Sequence, residues 1–234
     1  MTKHIPRFYV DCDLNEGAII KIDNTQMHHA ANVLRLKTGD IVRVFNELFG
    51  EWNCEISDVK KCHLRCVSLF RERRAGENGS VLAFCLINPH RMSILLEKVT
   101  ELGVSEIVPV ISQYTQHRSF NREKATQIII GACEQSGRIT IPKLANVVKL
   151  DHFLENYQYG CKLLVGDESF SRKKTNIISD KCAFLVGPEG GFSEEERNLL
   201  DKYDFVERIS LGKNILRAET AAIALVAMMC DKIN

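Results

Sequence analysis

The sequence predicts a two-part α/β fold, in which a small β-rich domain precedes a larger domain with a mostly parallel sheet. Two observations lead to this prediction. Residues 1–71 show mainly strand patterns, whereas residues 80–234 alternate between strand and helix patterns, which is typical of parallel sheets with crossover helices. The segment between them, residues 72–79, is charged and contains two glycines, which favours a linker.

In the first domain we expect one helix followed by strands. Thr25 is the predicted N-cap of a helix over Gln26–Arg35, because apolar residues recur there at helical spacing. A turn at Leu48–Gly50 then separates two strands of a hairpin, and one more strand follows. The predicted strands are Asp40–Asn46, Glu51–Ile56 and Lys61–Phe70. This pattern predicts a small barrel-like domain.

In the second domain strands and helices are predicted to alternate to the end of the chain. The predicted strands are Val81–Ile87, Ile107–Ile111, Lys162–Val165, Ala183–Val186 and Phe205–Leu211. The predicted helices are Met92–Leu102, Arg122–Gln135, Ser193–Tyr203 and Ala218–Cys230. Ser193 and Glu196 have the spacing of a capping box, which indicates a structural role for both side chains.

Length and composition are those of an ordinary globular protein. The 234 residues are 45% hydrophobic, which is enough for a sizeable core. The first ten residues lack a signal-peptide core, and no apolar run reaches roughly eighteen residues, so neither secretion nor membrane insertion is predicted. We therefore expect a cytoplasmic location. With 31 basic and 30 acidic residues the net charge is +1, so overall charge does not indicate a nucleic-acid partner.

The nine cysteines are interpreted as reduced, mostly buried thiols, because there is no secretory signal and their number is odd. One close group, Cys62-His63-Leu64-Arg65-Cys66, raises the hypothesis of a metal site. In a strand Cys62, Leu64 and Cys66 point to one side and His63 to the other. No second pair of ligands lies nearby in the sequence, so we expect no metal.

Two glycine-containing segments near the C-terminus carry the strongest functional signal. In each, an apolar strand ends in a turn and a helix follows. Taken alone, each is better explained as an ordinary strand-to-helix turn, with Glu219 and Thr220 as helix caps. Side by side, they would line one pocket. The segments are Leu185-Val186-Gly187-Pro188-Glu189-Gly190-Gly191 and Leu211-Gly212-Lys213-Asn214-Ile215-Leu216-Arg217-Ala218-Glu219-Thr220.

Together these segments resemble the signature of the RsmE family in the SPOUT superfamily of RNA methyltransferases. Further matches keep the family's order along almost the whole chain. They are Arg7-Phe8-Tyr9-Val10, His28-His29, Val33-Leu34-Arg35, Gly39-Asp40, Glu97 to Val104, Glu134 to Arg138 and Pro142. The chain departs from the family pattern at Asn88-Pro89-His90, just before Arg91 and Met92, and in the hairpin turn at 46–50.

The resemblance implies a C-terminal SPOUT domain with a deep trefoil knot over residues 80–234, preceded by a PUA-like β-barrel RNA-binding domain over residues 1–71. It implies S-adenosylmethionine-dependent methylation of N3 of a uridine of 16S ribosomal RNA, nucleotide 1498 in the family, in the small ribosomal subunit. It also implies a homodimer. The apolar last helix is consistent with a partner surface and equally with core packing.

The resemblance also assigns roles to residues. The expected cofactor-binding residues are Leu185, Val186, Gly187, Pro188, Glu189, Gly190, Gly191, Leu211, Gly212, Ile215 and Leu216. Arg217 is the expected catalytic cation, because an arginine beside the uracil oxygens favours the anionic base. Glu219 is the expected proton acceptor or orienter. The expected RNA-binding residues are Arg7, Arg35, Lys37, Arg43 and Arg138. Arg138 lies four residues after Glu134 on a helix, so pairing between these two is an equal alternative.

Two other classes of function stay open. A noncatalytic RNA-binding or ribosome-assembly protein could keep the same fold, and it predicts no binding of S-adenosylmethionine in calorimetry. A nucleotide-dependent oxidoreductase is disfavoured, because no strand is followed by the G-x-G-x-x-G spacing with a downstream acidic residue.

Overall fold

The computed structural model describes residues 5–73, 79–167 and 182–230, which form two structural units. The first unit comprises Met1–Glu77 together with Cys133–Ile141. The second comprises Asn78–Ala132 and Pro142–Asn234. The sequence did not predict that Cys133–Ile141 belongs with the first unit. Residues 74–78 of the expected linker lie outside the described residues.

The first unit is built on a five-stranded sheet. Its strands are β1 (Arg7–Tyr9), β2 (Ile19–Lys21), β3 (Ile41–Asn46), β4 (Gly50–Asp58) and β5 (His63–Arg71). The order is β1-β3-β4-β5-β2; β1 runs parallel to β3 and the other neighbours are antiparallel. Within the described residues no backbone pairing joins the edge strands β1 and β2, so hydrogen bonds do not close this sheet into a barrel.

The predicted hairpin and the strand after it are confirmed. β3 and β4 pair antiparallel across a three-residue turn, with Val42 opposite Cys54 and Val44 opposite Trp52. Val42, Val44 and Cys54 are fully buried, so one face of this sheet packs into the core of the unit. The two short strands β1 and β2 were not predicted, because three residues carry too little alternation to be recognised.

The predicted helix over Gln26–Arg35 has different ends in the structure. α1 (Asn24–His28) begins after Asp23, not after Thr25, and a π-helical turn over His29–Val33 continues it. Asp23 is the cap because its carboxylate accepts from the Gln26 amide at 2.8 Å, while the Gln26 side chain accepts from the Asp23 amide at 3.3 Å. This reciprocal pair satisfies two amides at the helix start, which Thr25 does not do.

The predicted burial of the cysteine strand is confirmed. Cys62, Leu64 and Cys66 are buried in the core of the first unit, and the Cys54 thiol donates to the Cys66 sulfur at 3.4 Å. That hydrogen bond and burial raise the pKa of Cys54. Among the residues that the structure describes, no group of three or more His, Cys, Asp or Glu side chains is arranged to hold a metal ion.

The second unit contains a parallel sheet, and the predicted α/β alternation is confirmed. Its strands are β6 (Val81–Cys85), β7 (Glu106–Ile111), β8 (Lys143–Leu144), β9 (Val148–Lys149), β10 (Leu163–Gly166), β11 (Ala183–Val186) and β12 (Val206–Ile209). The order is β12-β10-β11-β6-β7-β8, β9 also pairs with β7, and every pair is parallel. The helices are α2 (Pro89–Glu101), α3 (Arg122–Ser136), α4 (Leu150–Glu155), α5 (Glu194–Leu200) and α6 (Ala218–Cys230).

The segment that departs from the family pattern starts a helix. α2 begins three residues before the predicted Met92, because the Asn88 side chain accepts from the His90 amide at 3.0 Å and Pro89 occupies the first helical turn. Both are favourable at a helix start. β11 and α6 have the predicted bounds, whereas β8, β9 and α4 were too short to be predicted. In the described ranges no helix is long and apolar enough to cross a bilayer.

Three neighbouring strands of the second unit end in register. Gly166 at the end of β10 lies opposite Val186 of β11 and Ile209 of β12. Because the strands are parallel, the chain leaves all three at the same edge of the sheet. In open α/β sheets ligands bind outside this carboxyl edge. The register therefore places a candidate site here.

Candidate functional site

A cavity of about 280 Å³ lies at this carboxyl edge, entirely within the second unit. The end of β10 with Asp167 and the loops after β11 and β12 form it, and Arg91 of α2 and the start of α6 complete it. The lining residues are Arg91, Gly166, Asp167, Val186, Gly187, Pro188, Glu189, Gly191, Phe192, Arg197, Ser210, Leu211, Gly212, Lys213, Asn214, Ile215, Leu216, Arg217, Ala218 and Ala221.

The structure brings the two predicted glycine segments together. Nine of the eleven expected cofactor-binding residues line the cavity. Leu185 does not: it is fully buried in the core beneath the loop. Gly190 also lies off the lining, where its backbone packs against Tyr114. The two exceptions follow from strand alternation and turn geometry, which spacing alone does not fix.

Sequence reasoning missed the residue directly after β10. This residue, Asp167, is 5% exposed and lies within ion-pair distance of two arginines, Arg208 at 3.2 Å and Arg197 at 3.5 Å. The only signal in the sequence was an aspartate directly after an apolar strand. Two arginines hold this carboxylate at the cavity wall, and their charges offset its own.

Gly212, in the loop after β12, presents its main chain to the cavity without a side chain. Its φ of +144° lies in the region that favours glycine, and a Cβ placed on it would have no heavy atom within 4 Å. Ile215, three residues on, is 79% exposed although it is a large apolar residue. An isoleucine held open at a cavity wall offers apolar surface that a flat ligand would cover.

Arg217 lines the cavity immediately before α6. Its side chain is exposed, and among the described residues its guanidinium has neither a hydrogen bond nor an ion pair. Its backbone carbonyl accepts from the Ala221 amide at 2.8 Å, which fixes the main chain at the helix start. The arrangement is a fixed backbone with a free, permanently charged side chain.

Glu219 occupies a different position from Arg217. It is 8% exposed and does not line the cavity; its Oε1 lies 3.9 Å from Nε of Arg91. Its Oε2 is buried and has no hydrogen-bond partner among the described residues. Arg91 also lies 3.9 Å from Glu189. Arg91, which sequence reasoning noted only as a family match, therefore stands between the cavity and Glu219.

The predicted capping box at the start of α5 is confirmed. The Glu196 amide donates to Ser193 Oγ at 3.2 Å, and the Ser193 amide donates to Glu196 Oε2 at 3.0 Å. The other oxygen of Glu196 accepts from the Gln113 amide at 2.7 Å. Glu196 therefore also ties α5 to the loop after β7, a contact that the capping pattern alone did not predict.

The expected RNA-binding residues of the first unit differ in accessibility. Arg35 and Lys37 are exposed. Arg43 is partly exposed and its guanidinium lies 3.4 Å over the ring of Phe70, whose side chain is 47% exposed. Arg138 is partly buried and donates to Thr140 Oγ1 at 3.3 Å. Of the five, Arg35 and Lys37 are exposed, whereas Arg43 and Arg138 are partly exposed.

Arg7 has a structural role instead. Its side chain is 7% exposed and donates to Glu51 at 2.7 Å and to the carbonyls of Cys133, Glu134 and Arg138 at 2.7 to 3.0 Å. These carbonyls belong to the C-terminal end of α3 and the residues after it, which the guanidinium caps. A phosphate contact would require breaking these bonds, so we withdraw Arg7 from the RNA-binding candidates.

Glu134 is bound to the main chain of β1. Its Oε1 accepts from the Tyr9 amide at 2.9 Å and from the Gln26 side chain at 3.4 Å. Burial raises the pKa of this carboxyl above its ordinary value. The residue therefore braces the first unit at the end of α3.

Two family models match the chain. One is described as an RNA methyltransferase domain and matches residues 77–230. The other is described as an RNA methyltransferase PUA domain and matches residues 22–67. The two matches fall on either side of the junction between the expected domains.

Curated relatives match over nearly the whole chain. The ribosomal RNA small subunit methyltransferase E of Rickettsia conorii is 34% identical over 230 residues, which cover 95% of this chain and 94% of the relative. The protein of the same name from Mesomycoplasma hyopneumoniae is 36% identical over 230 residues, with 94% and 96% covered.

Solved structures match over the same length. The ribosomal RNA small subunit methyltransferase E of Neisseria gonorrhoeae, bound to S-adenosyl methionine, is 28% identical with a TM-score of 0.83 and 98% of each chain covered. A Legionella pneumophila protein, solved in complex with the bound cofactor SAM, is 31% identical with a TM-score of 0.87 and 98% of each chain covered.

Proposed function

This chain belongs to the ribosomal RNA small subunit methyltransferase E family, and we propose that it transfers the methyl group of S-adenosylmethionine to N3 of one uridine of 16S ribosomal RNA, nucleotide 1498 in the family. The observation that carries the proposal is the cavity at the carboxyl edge of β10, β11 and β12. It combines glycine-containing loops, apolar walls and an arginine, Arg217, whose guanidinium has no partner among the described residues.

The lining residues fit S-adenosylmethionine. Leu211, Ile215 and Leu216 offer apolar surface for a flat adenine, and the open backbone at Gly212 lets main-chain groups reach the ligand. The wall carries the carboxylates of Asp167 and Glu189 and the cations of Arg91 and Arg197, which together suit a ligand with a sulfonium, an ammonium and a carboxylate group. When bound, the cofactor supplies an electrophilic methyl group.

Arg217 is the proposed catalytic residue. Loss of the N3 proton to water leaves negative charge on the uracil ring and its two oxygens. A guanidinium offers paired planar donors and stays charged, so Arg217 would stabilise that anion as it forms. The support is its place on the cavity wall and its lack of a partner among the described residues.

Glu219 is proposed to orient Arg91 and not to take the N3 proton. A proton acceptor must come within hydrogen-bond reach of the proton that it removes. Glu219 lies outside the lining, and the Arg91 guanidinium is beside it. Of the two roles expected for Glu219, its position favours that of orienter.

We also propose roles for the two domains, a knotted chain and a dimeric state. Residues 1–71 serve as the RNA-binding domain and residues 80–234 as the methyltransferase domain, with Arg35, Lys37 and Arg43 contacting phosphate. A trefoil knot is part of the proposal because the chain belongs to this family, and the strand order, with β11 between β10 and β6, is compatible with it. A homodimer that works in the cytoplasm completes the proposal, and its support is membership of the family.

The test uses small ribosomal subunits from cells that lack this protein. After incubation with the protein and S-adenosylmethionine, mass spectrometry of digested 16S RNA should find one new 3-methyluridine at a single position. Methylation elsewhere, or none, contradicts the proposal. Calorimetry with S-adenosylmethionine should show binding; its absence would favour the noncatalytic assembly protein.

A further inference from the structure

Tyr114 is an exposed aromatic residue beside the candidate cavity. It follows β7, and 47% of its surface is accessible. The residue packs against the backbone of Gly190: a Cβ placed on Gly190 would lie 3.2 Å from the Tyr114 Cβ and 3.7 Å from its Cγ. Gly190 belongs to the loop whose neighbours Glu189 and Gly191 line the cavity. The tyrosine therefore stands next to the cofactor loop and remains open to solvent.

The main chain around Tyr114 is firmly held. The Ser112 amide donates to Thr115 Oγ1 at 2.9 Å, and the Thr115 amide donates to the Ser112 carbonyl at 3.2 Å. Both residues are 4% exposed. The amide of Gln113 is bound by Glu196 of α5. A fixed turn on buried polar groups thus presents a half-exposed ring, which lowers the entropy lost when a ligand packs on it.

The surroundings of the ring suit a nucleotide. Among the described residues the Tyr114 ring has no aromatic neighbour and its hydroxyl has no hydrogen bond. Arg118 is exposed four residues later, and its Nε donates to the Thr115 carbonyl at 3.4 Å, which holds the side chain at this loop. An aromatic face with an arginine nearby is the usual combination for an unpaired base and its phosphate.

We propose that Tyr114 is a stacking residue for an unpaired RNA base at the mouth of the methyl-transfer cavity, and that Arg118 contacts a phosphate of the same segment. The inference rests on the proposed function and deepens it, because it names single-stranded RNA as the form in which the target region is bound. Stacking tolerates any base, so Tyr114 contributes affinity and position, while the cavity selects the uridine.

The experiment compares Tyr114→Ala and Tyr114→Phe with Gln116→Ala, a change to an exposed residue of the same loop. Binding to unmethylated small ribosomal subunits is measured without S-adenosylmethionine. Tyr114→Ala should weaken binding by about 5- to 100-fold, the range found when a base loses its aromatic partner. Tyr114→Phe keeps the ring and should bind like the wild type, as should Gln116→Ala. Calorimetry should give all three variants the wild-type affinity for S-adenosylmethionine.

Each other outcome has a definite meaning. Unchanged binding by Tyr114→Ala would overturn the inference, as would an equal loss in Tyr114→Phe, since the hydroxyl and not the ring would then matter. A change of oligomeric state in Tyr114→Ala, measured by light scattering, would also overturn it, because the ring would then belong to a protein interface. If the wild type methylates subunits in any of these cases, only this inference fails. If the wild type neither binds the cofactor nor methylates, the proposed function itself fails.

Discussion

Arg91 and Glu219 join two helices of the second unit beside the cavity: Nε of Arg91 on α2 lies 3.9 Å from Oε1 of Glu219 on α6. The same guanidinium lies 3.9 Å from Glu189 in the loop after β11. One side chain thus spans three elements that form the site. Because Glu219 is 8% exposed and one of its oxygens has no hydrogen-bond partner among the described residues, the arginine is its nearby counter-charge.

Removing Arg91 should therefore destabilise the protein, because the buried carboxylate of Glu219 is left without a nearby cation. We expect Arg91→Gln to lower the free energy of unfolding by about 1–3 kcal/mol, because Glu219 then loses its cation. The double variant Arg91→Gln/Glu219→Gln should regain part of that loss. Urea denaturation at pH 7 measures the double variant and both single variants, Arg91→Gln and Glu219→Gln. If the losses from the two single changes simply add in the double variant, the two residues are not coupled.

Arg217 should matter for catalysis and not for folding. Since its side chain is exposed and has no partner among the described residues, Arg217→Ala should change the free energy of unfolding by less than about 0.5 kcal/mol. Single-turnover methylation should fall by about 100- to 1000-fold, as when one donor to a developing anion is lost. Calorimetry should show unchanged affinity for S-adenosylmethionine.

Lys213→Ala is the matched control, because Lys213 is another exposed cation of the cavity lining. It should methylate at close to the wild-type rate. A wild-type rate in Arg217→Ala would show that the assignment is wrong, and an equal fall in both variants would point to the overall charge of the rim.

Local patterns predicted the elements that carry the site but not the contacts between distant ones. β11 and α6 were predicted to the residue, because an apolar run before glycine and a capped apolar helix are local signals. Asp167 could not be found in this way. It reaches the cavity because β10 lies between β11 and β12, and strand order depends on long-range pairing.

The same limit explains the misassignment of Arg7. The prediction that Arg7 binds RNA rests on the family resemblance, and a single arginine in a segment of balanced charge is equally compatible with an RNA contact. Its partners are the carbonyls of Cys133, Glu134 and Arg138, which lie 126, 127 and 131 residues away in the sequence. The family resemblance marked both segments without showing that they touch.

Arg7 and Arg35 should therefore respond differently to mutation. Arg7→Ala removes one of the two cations that pair with Glu51, which keeps Arg71, and takes this donor away from three carbonyls, so we expect a loss of about 2–4 kcal/mol in the free energy of unfolding. Arg35→Ala should cost less than about 0.5 kcal/mol, because the side chain is exposed. Urea denaturation checks both.

Binding to the small ribosomal subunit tests the exposed cations of the first unit. Arg35→Ala should weaken binding to the small subunit and lower the salt dependence by about one released ion. Lys37→Ala should do the same. If Arg35→Ala binds with the wild-type affinity and salt slope, this part of the first unit does not contact phosphate.

Glu134 should make the first unit less stable as the pH rises. Burial raises the pKa of its carboxyl above the ordinary 4.5, so the folded protein holds the proton more tightly than the unfolded chain. The contribution to stability is fully present below pH 4.5 and is lost as the pH rises through the folded pKa.

Glu134→Gln removes this titration and keeps an oxygen that can accept from the Tyr9 amide. We therefore expect the variant to gain stability relative to the wild type between pH 4 and pH 7. Urea denaturation across this range measures the difference in the free energy of unfolding between the variant and the wild type. Glu155→Gln, which removes an exposed carboxylate, controls for the loss of one negative charge. If the free energy of unfolding of Glu134→Gln minus that of the wild type stays constant or falls as the pH rises, burial of Glu134 does not govern this pH dependence.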